Sequence, residues 1–270
     1  MMRAPLWLLA CLVVAAIAAP IVAPYGPDDI DLAHRRAAPS LAHWFGTDDL
    51  GRDVLARVLH GARVSLSIGL LAAAVAGASG IAIGGAAGYA GGWIDAVLMR
   101  ATDAMLAVPR LPLLMIASAF LRPSVAMLVA LIGLAGWMET ARLVRAEFLA
   151  LRGRDFVEGA RAAGAGHTRV MLVHLLPNAA HTVTVSVTIA VARAILLESA
   201  LSFFGVGVQP PAASWGNMLY AAQATLATEP WLAIVPGVFI LITTMSVNAV
   251  GDGAASRTQR PLRPQKSVLY

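Results

Sequence analysis

The chain has 270 residues, of which 59% are hydrophobic and 13% charged, and it carries a formal net charge of +5. An ordinary soluble domain has about 25% charged residues, so this composition excludes a protein whose main solvent is water. Apolar runs of about 20 residues recur along the chain, and each is long enough to cross a bilayer core as a helix. We therefore predict one polytopic membrane domain and no separate soluble domain.

Six apolar runs are candidate membrane spans. Only helices and closed barrels satisfy the backbone in lipid, and none of the runs alternates as a barrel strand does, so we predict the all-α class. The predicted fold is a bundle of about six transmembrane helices. We divide the chain into a first span with an outer segment (1–62), a transmembrane core (63–252) and a polar tail (253–270). By hydropathy, the runs cover residues 5–24, 64–89, 102–121, 124–141, 179–201 and 231–250.

The positive residues predict a membrane topology and argue against nucleic-acid binding. With the N-terminus inside, thirteen of them fall in cytoplasmic segments and five in external ones, which predicts that both termini are cytoplasmic. The thirteen are Arg3, Arg100, Arg110, Arg142, Arg145, Arg152, Arg154, Arg161, Arg169, Arg257, Arg260, Arg263 and Lys266, and the five are Arg35, Arg36, Arg52, Arg57 and Arg122.

The single cysteine, Cys11, excludes an internal disulfide and a multi-cysteine metal site. It follows Leu8, Leu9 and Ala10, a pattern loosely like a lipoprotein cleavage box. The apolar run continues beyond Cys11, however, which favours a small residue inside the first span. A cleavable signal peptide within residues 1–23 is a related alternative, and its removal would leave five spans.

A polar segment, residues 25–63, follows the first span. Near its end Val54 and Val58 fall on one helical face with other apolar residues, which predicts a short amphipathic helix along the membrane surface. Thr47 or Asp48 is a suitable N-cap for that helix.

Glycines and prolines predict the shape of the second and third spans. Gly80, Gly84 and Gly88 recur at four-residue spacing, so another helix can approach the second span closely. Pro109 and Pro112 each remove a backbone donor and can bend the third span.

Three charges at membrane depth, Glu139, Arg193 and Glu198, are candidates for the translocation path, because such charges normally face a partner or water. The alternative is that Glu139 pairs with Arg142 one turn on, and that Glu198 simply lies near the external end of its span.

The last external segment, residues 203–231, contains paired prolines and cannot be one continuous helix. A re-entrant or surface loop at the mouth of a pathway fits this pattern, and a plain connector is the alternative. Trp215 and Trp231 are typical of residues that anchor at the membrane interface. The candidate external contacts are Gln209, Pro210, Pro211 and Trp215.

The chain contains no recognisable catalytic or nucleotide-binding pattern. Its only lysine, Lys266, lies in the tail, so a phosphate-binding loop of the G-x-x-x-x-G-K-[ST] type is excluded. His167, His174 and His181 recur every seven residues, but Pro177 breaks the helical register and no carboxylate cluster joins them. We predict no catalytic residue, no metal site and no cofactor bound by this chain.

The stretch FVEGARAAGAGHTRVMLVHLLPN interrupts the apolar sequence with charge and glycine. A first short helix is expected to start near Asp155 and to stop at Gly164 and Gly166. Thr168 is a plausible cap for a second short helix, which Pro177 ends before the fifth span. Two short helices at the cytoplasmic face have the form of a docking site, and a solvated loop is the alternative.

This stretch resembles the E-A-A-x3-G-x9-I-x-L-P loop of the membrane permease subunits of binding-protein-dependent ABC importers. Gly159 replaces the second alanine of that pattern and His174 replaces the isoleucine. The resemblance implies an ATPase-coupling loop within residues 145–177, whose key residues are Glu158, Gly159, Ala160, Arg161, Gly164, Leu176 and Pro177.

Two further stretches, HWFGTDDLGRDVLARVLHGARVSL and LLESALSFFGVGVQPPAASWGNML, resemble the second permease subunit of dipeptide, oligopeptide and nickel importers. The resemblance implies a peptide-importing subunit of the bacterial cytoplasmic membrane. Its implied partners are a related permease, two cytoplasmic ATPase subunits that bind ATP and Mg, and an extracytoplasmic solute-binding protein. A nickel or other small-solute permease of the same family is an alternative. An intramembrane enzyme and a structural scaffold are alternatives from other classes.

Overall fold

A computed structural model describes residues 3–258, and within that range the chain is all-α, as predicted. Short 3-10 segments lie at Leu32–His34 and Gln223–Thr225, and a π-helical segment lies at Val170–Leu175. The α-helices are α1 (Arg3–Val22), α2 (Val54–Ala90), α3 (Gly92–Ala107), α4 (Arg110–Ala119), α5 (Val125–Leu134), α6 (Trp137–Leu151), α7 (Asp155–Ala162), α8 (His167–Arg169), α9 (Leu176–Asn178), α10 (Ala180–Phe203), α11 (Trp215–Ala222) and α12 (Trp231–Thr258).

Four helices, α1, α2, α10 and α12, are each long and apolar enough to cross a membrane. Two further spans are broken, since α3 and α4 meet at 83° and α5 and α6 at 41°. If each bent pair counts as one span, the described residues give the six spans predicted. Pro109 lies at the first break as the N-cap of α4, which agrees with the predicted bend. The third span begins with α3 at Gly92 and not at residue 102 as predicted. Asp95 and Arg100 lower the hydropathy of α3, which hid its first residues from the hydropathy pattern.

The predicted surface helix before the second span is wrong. Its residues form the first turns of α2, which continues without a break for 37 residues, and Asp53 rather than Thr47 or Asp48 is the N-cap. The Asp53 carboxylate accepts a hydrogen bond from the Ala56 N–H at 2.8 Å. Val54 and Val58 are fully covered by residues of α1, α11 and α12, so protein rather than lipid headgroups buries this apolar face.

The glycines of α2 pack against α6, as their spacing predicts. A Cβ atom at Gly84 would overlap the backbone of Ala141, and one at Gly88 would lie 2.7 Å from the Arg145 carbonyl oxygen. Gly80 is similarly close to Thr140. The two helices therefore approach at a distance that excludes larger side chains.

Two predicted boundaries fall inside helices. The division between residues 62 and 63 lies within α2, and the predicted tail (253–270) begins within α12. The rest of that tail, residues 259–270, lies outside the described residues, together with the basic residues Arg260, Arg263 and Lys266.

Candidate functional site

The loop that connects α6 to α10 contains the predicted coupling residues. Its first helix, α7, begins at Asp155 and ends where Gly164 adopts a φ of +84°, a conformation that L-residues rarely adopt. The Ala165 N–H then bonds to the Ala160 carbonyl at 3.0 Å, which closes the helix end. Gly164 thus stops α7 as predicted, whereas Gly166 has a negative φ and serves as the N-cap of α8.

One apolar residue fixes α7 to the bundle. Val157 is fully buried against Val144 and Phe148 of α6 and against Val170 and Leu175 of the π-helical segment. A short helix has few contacts of its own, so this buried valine determines which side of α7 faces outward.

The outward side of α7 is polar. Glu158 and Arg161 are exposed, and Gly159 has open space where a side chain would stand. Within residues 3–258, the Glu158 carboxylate has no ion pair or side-chain hydrogen bond. An exposed, unpaired carboxylate on a helix that packs against the bundle is available to a partner.

The second half of the loop differs from the prediction. Thr168 is not a cap, and Pro177 does not end a helix, because the chain is helical almost without interruption from α8 through α10. Pro177 has no N–H to donate to the preceding turn, and the wider π-helical turns before it accommodate the ring without a break. The loop therefore leads directly into α10.

A recess of about 580 Å³ lies between the loop and the C-terminal end of α2, and residues of both line it. Glu158 and Arg161 line it together with Tyr89 and His167. The Tyr89 hydroxyl lies 2.7 Å from His167 Nδ1, and the Arg161 guanidinium lies 5.4 Å from the centre of the Tyr89 ring. Sequence reasoning missed Tyr89, although an aromatic residue at the end of a span is itself a signal for a contact at the membrane boundary.

The predicted pathway residues do not form a single group. Glu139 Oε1 lies 2.9 Å from Arg110 Nη2 and 3.1 Å from Arg193 Nη1, so two arginines share one carboxylate. The expected partner Arg142 pairs instead with Asp103 of α3. Arg110, which was assigned to the cytoplasmic segments, lies against Glu139 because the 83° break turns α4 back towards α6.

Glu198 is separate from this cluster. Its side chain is fully buried, and its two oxygens accept hydrogen bonds from Ser65 at 2.9 Å and Ser202 at 2.8 Å. The same hydroxyls accept bonds from the backbone N–H groups of Trp215 and Val208. Through these two serines, Glu198 therefore joins α2 and α10 to the first residue of α11 and to the segment before it.

Trp215 is a packing residue rather than an interfacial anchor or an external contact. Its indole is fully buried, and its Nε1–H donates to the Val58 carbonyl at 3.0 Å. Ser214 and Asn217 form a capping box that starts α11 beside it. Gln209, Pro210 and Pro211 are exposed, as candidate contacts must be.

Comparisons with known proteins agree with this architecture. Residues 80–262 match the family of binding-protein-dependent transport system inner membrane components, and residues 4–39 match the N-terminal membrane domain of oligopeptide transport permease C. A Brucella suis biovar 1 (strain 1330) protein, provisionally named a peptide permease protein, is 41% identical over 91% of this chain and 82% of its own length.

Two relatives from Bacillus subtilis (strain 168) have more specific names. The dipeptide transport system permease protein DppC is 35% identical over 96% of this chain and 82% of its own length. The oligopeptide transport system permease protein OppC is 35% identical over 95% of this chain and 84% of its own length. The chain is therefore a multi-pass membrane protein that belongs to the family of binding-protein-dependent transport system inner membrane components.

Proposed function

We propose that this chain is the permease subunit of an ATP-driven importer that carries di- or oligopeptides across the bacterial cytoplasmic membrane. The family and the names of the relatives support a peptide substrate, and none of the three relatives is named for nickel. The observation that carries the proposal is the form of α7, a short helix fixed by Val157 that leaves Glu158 and Arg161 exposed.

The proposed complex contains partners that this chain needs for transport. A related permease subunit completes the membrane part, and two cytoplasmic ATPase subunits bind ATP and Mg and contact α7. An extracytoplasmic solute-binding protein delivers the peptide near Gln209, Pro210 and Pro211. Both termini lie in the cytoplasm in this arrangement, which places the loop on the ATPase side.

The loop is built to transmit movement. A displacement of α7 by a bound ATPase would be transmitted to α6 through Val157 and Phe148. It would be transmitted to α10 through the helical run that contains Pro177. A flexible connection would not transmit such a displacement, whereas two helical connections can shift the bundle between inward-open and outward-open states. These same two helices carry Glu139 and Arg193, so movement of the loop would act on that ion pair.

The experiment that tests the proposal is ATP-dependent uptake of a labelled dipeptide by the complete complex in proteoliposomes. We expect Glu158→Lys to lower uptake by at least about ten-fold, because it places a positive charge where a partner meets a carboxylate. Asp252→Lys, an exposed charge reversal on α12, is the matched control and should retain uptake.

A second variant tests the shape of the loop. Gly164→Ala strains the positive-φ turn that ends α7, so we expect weaker coupling of ATP hydrolysis to uptake. Gly237→Ala in α12, where a Cβ meets nothing within 4 Å, is its control. Wild-type uptake in Glu158→Lys and Gly164→Ala would contradict the docking role.

A further inference from the structure

The cluster of Arg110, Glu139 and Arg193 lies deep within the predicted membrane region. Arg193 is about 20 Å along α10 from Ala180 and about 15 Å from Phe203. Its side chain is 50% exposed, and those of Arg110 and Glu139 are 23% and 37% exposed. A partly exposed charge at that depth is costly in lipid, so this face of the bundle adjoins protein or water.

The cluster has an excess of positive charge. Two guanidinium groups share the single oxygen Glu139 Oε1, which leaves a net charge of +1. Two cavities adjoin the cluster, a small one of about 70 Å³ and a larger groove. Among the described residues that line them, Arg110, Glu139 and Arg193 are the only ionisable ones. Each guanidinium has five N–H donors, so most of them remain free for an anionic group. Since α4 begins at Arg110, the positive end of its helix dipole lies at the same place.

The groove beside the cluster has the size of a small-molecule site. Its volume is about 830 Å³, within the usual range for ligand pockets of about 300–1,000 Å³. The break between α3 and α4 forms one wall, and α5, α6 and α10 form the rest. Apart from the charged cluster at one end, the lining is apolar, including Leu106, Leu111, Leu114, Leu131 and Leu134. Apolar walls with one charged end suit a short peptide better than a bare ion.

We propose that Arg110 and Arg193 form a binding site for the α-carboxylate of a peptide during its passage, and that Glu139 is the internal counter-ion that this carboxylate displaces. The inference rests on the proposed function and adds to it the recognition of one chemical group. A bound carboxylate brings the net charge of the cluster from +1 to zero, so the loaded site is the electrically neutral one. Return of Glu139 to both arginines then favours release.

A carboxylate side chain of the partner permease is the other group that could supply a negative charge to Arg110 and Arg193. The volume of the groove favours the peptide, because a single side chain from a neighbouring helix would leave most of that space empty. The two sources give different results in the following experiment.

The experiment compares uptake of a dipeptide with a free C-terminal carboxylate and of the same dipeptide as its C-terminal amide. The complete complex in proteoliposomes is assayed as wild type, as Arg193→Gln and as Arg142→Gln. Arg142 is on α6 but pairs with Asp103 outside the groove, so it controls for loss of one arginine. Because the same binding protein serves every variant, its own preference cancels when the acid-to-amide ratios are compared.

We expect Arg193→Gln to lower the acid-to-amide uptake ratio by roughly ten-fold, since it removes a charge-assisted contact that only the acid makes. Arg142→Gln should leave the ratio unchanged. An equal fall in uptake of both peptides by Arg193→Gln, or loss of the partner permease from the purified complex, would overturn the inference and indicate a contact between subunits. If the wild-type complex carries neither peptide, the proposed function itself fails.

A second measurement keeps both arginines. Leu197→Cys, one turn beyond Arg193 in the groove lining, is introduced into a Cys11→Ala background and labelled with a thiol reagent in the complete complex. The free dipeptide should slow labelling several-fold more than its amide does. Equal protection by the two peptides would contradict carboxylate recognition even if Arg193→Gln failed to assemble.

Discussion

Glu139 and Glu198 both lie in membrane-spanning helices, yet their surroundings are opposite. Glu139 borders an open groove, and two arginines share one of its oxygens. Glu198 is fully enclosed, and serine hydroxyls rather than cations satisfy both of its oxygens. Depth in the membrane explains why either residue is costly, but the partner and the exposure distinguish a site that can exchange ligands from one that joins helices.

The largest expected effect in this comparison is on stability. Glu198→Leu leaves the Ser65 and Ser202 hydroxyls without their acceptor in a buried place, so we expect a loss of roughly 3 kcal/mol and a clear fall in the thermal midpoint of the purified complex. Glu198→Gln keeps an acceptor for one of the two hydroxyls and places an N–H donor beside the other, so it is the control and should lose less stability than Glu198→Leu. If Glu198→Leu were as stable as wild type but failed to transport, Glu198 would belong to the pathway after all.

A smaller effect, on transport kinetics, is expected at the open groove. Glu139→Gln removes the carboxylate that competes with the peptide, so the apparent KM for a free dipeptide should fall several-fold while kcat also falls, because release is slower. Initial uptake rates over a range of peptide concentrations measure both constants. Glu147→Gln, on the same helix but bonded to Thr182, is the control. If the KM of Glu139→Gln equalled that of wild type, Glu139 would not compete with the peptide, and the proposed contrast between Glu139 and Glu198 would be wrong.

The smallest expected effect extends the comparison to glycines in packed and open places. Gly159→Ala adds a methyl group in open space and favours the helix by up to about 1 kcal/mol, so uptake should stay within about two-fold of wild type. Gly84→Ala, whose methyl group would overlap the Ala141 backbone, should instead destabilise the complex. Loss of uptake in an assembled Gly159→Ala complex would show that a partner contacts α7 at Gly159.

Local patterns predicted much of this structure. Gly164 could be identified as a helix stop because a positive-φ end favours glycine, and the spacing of Gly80, Gly84 and Gly88 indicated close packing because small residues allow backbones to approach. Pro109 marked a bend for a similarly local reason.

Properties that depend on tertiary contacts were not predictable in the same way. The surface-helix pattern at the start of α2 was misleading because the apolar face of an amphipathic helix looks the same whether lipid or protein covers it. The pairing of Glu139 with Arg110 requires the 83° turn between α3 and α4, and the burial of Trp215 requires the fold of the segment before α11. Pro177 was read as a helix end, yet the preceding π-helical turns accommodate it.

The central claim is that the groove beside Glu139, and not the enclosed region around Glu198, takes the peptide. The most direct measurement is photo-crosslinking of a dipeptide with a photoreactive side chain to the complete complex, followed by mass-spectrometric mapping of the labelled residues. The account predicts labels on groove residues such as Leu111, Leu131 and Leu197. Labels confined to residues outside the groove, in a complex that still transports the peptide, would contradict it.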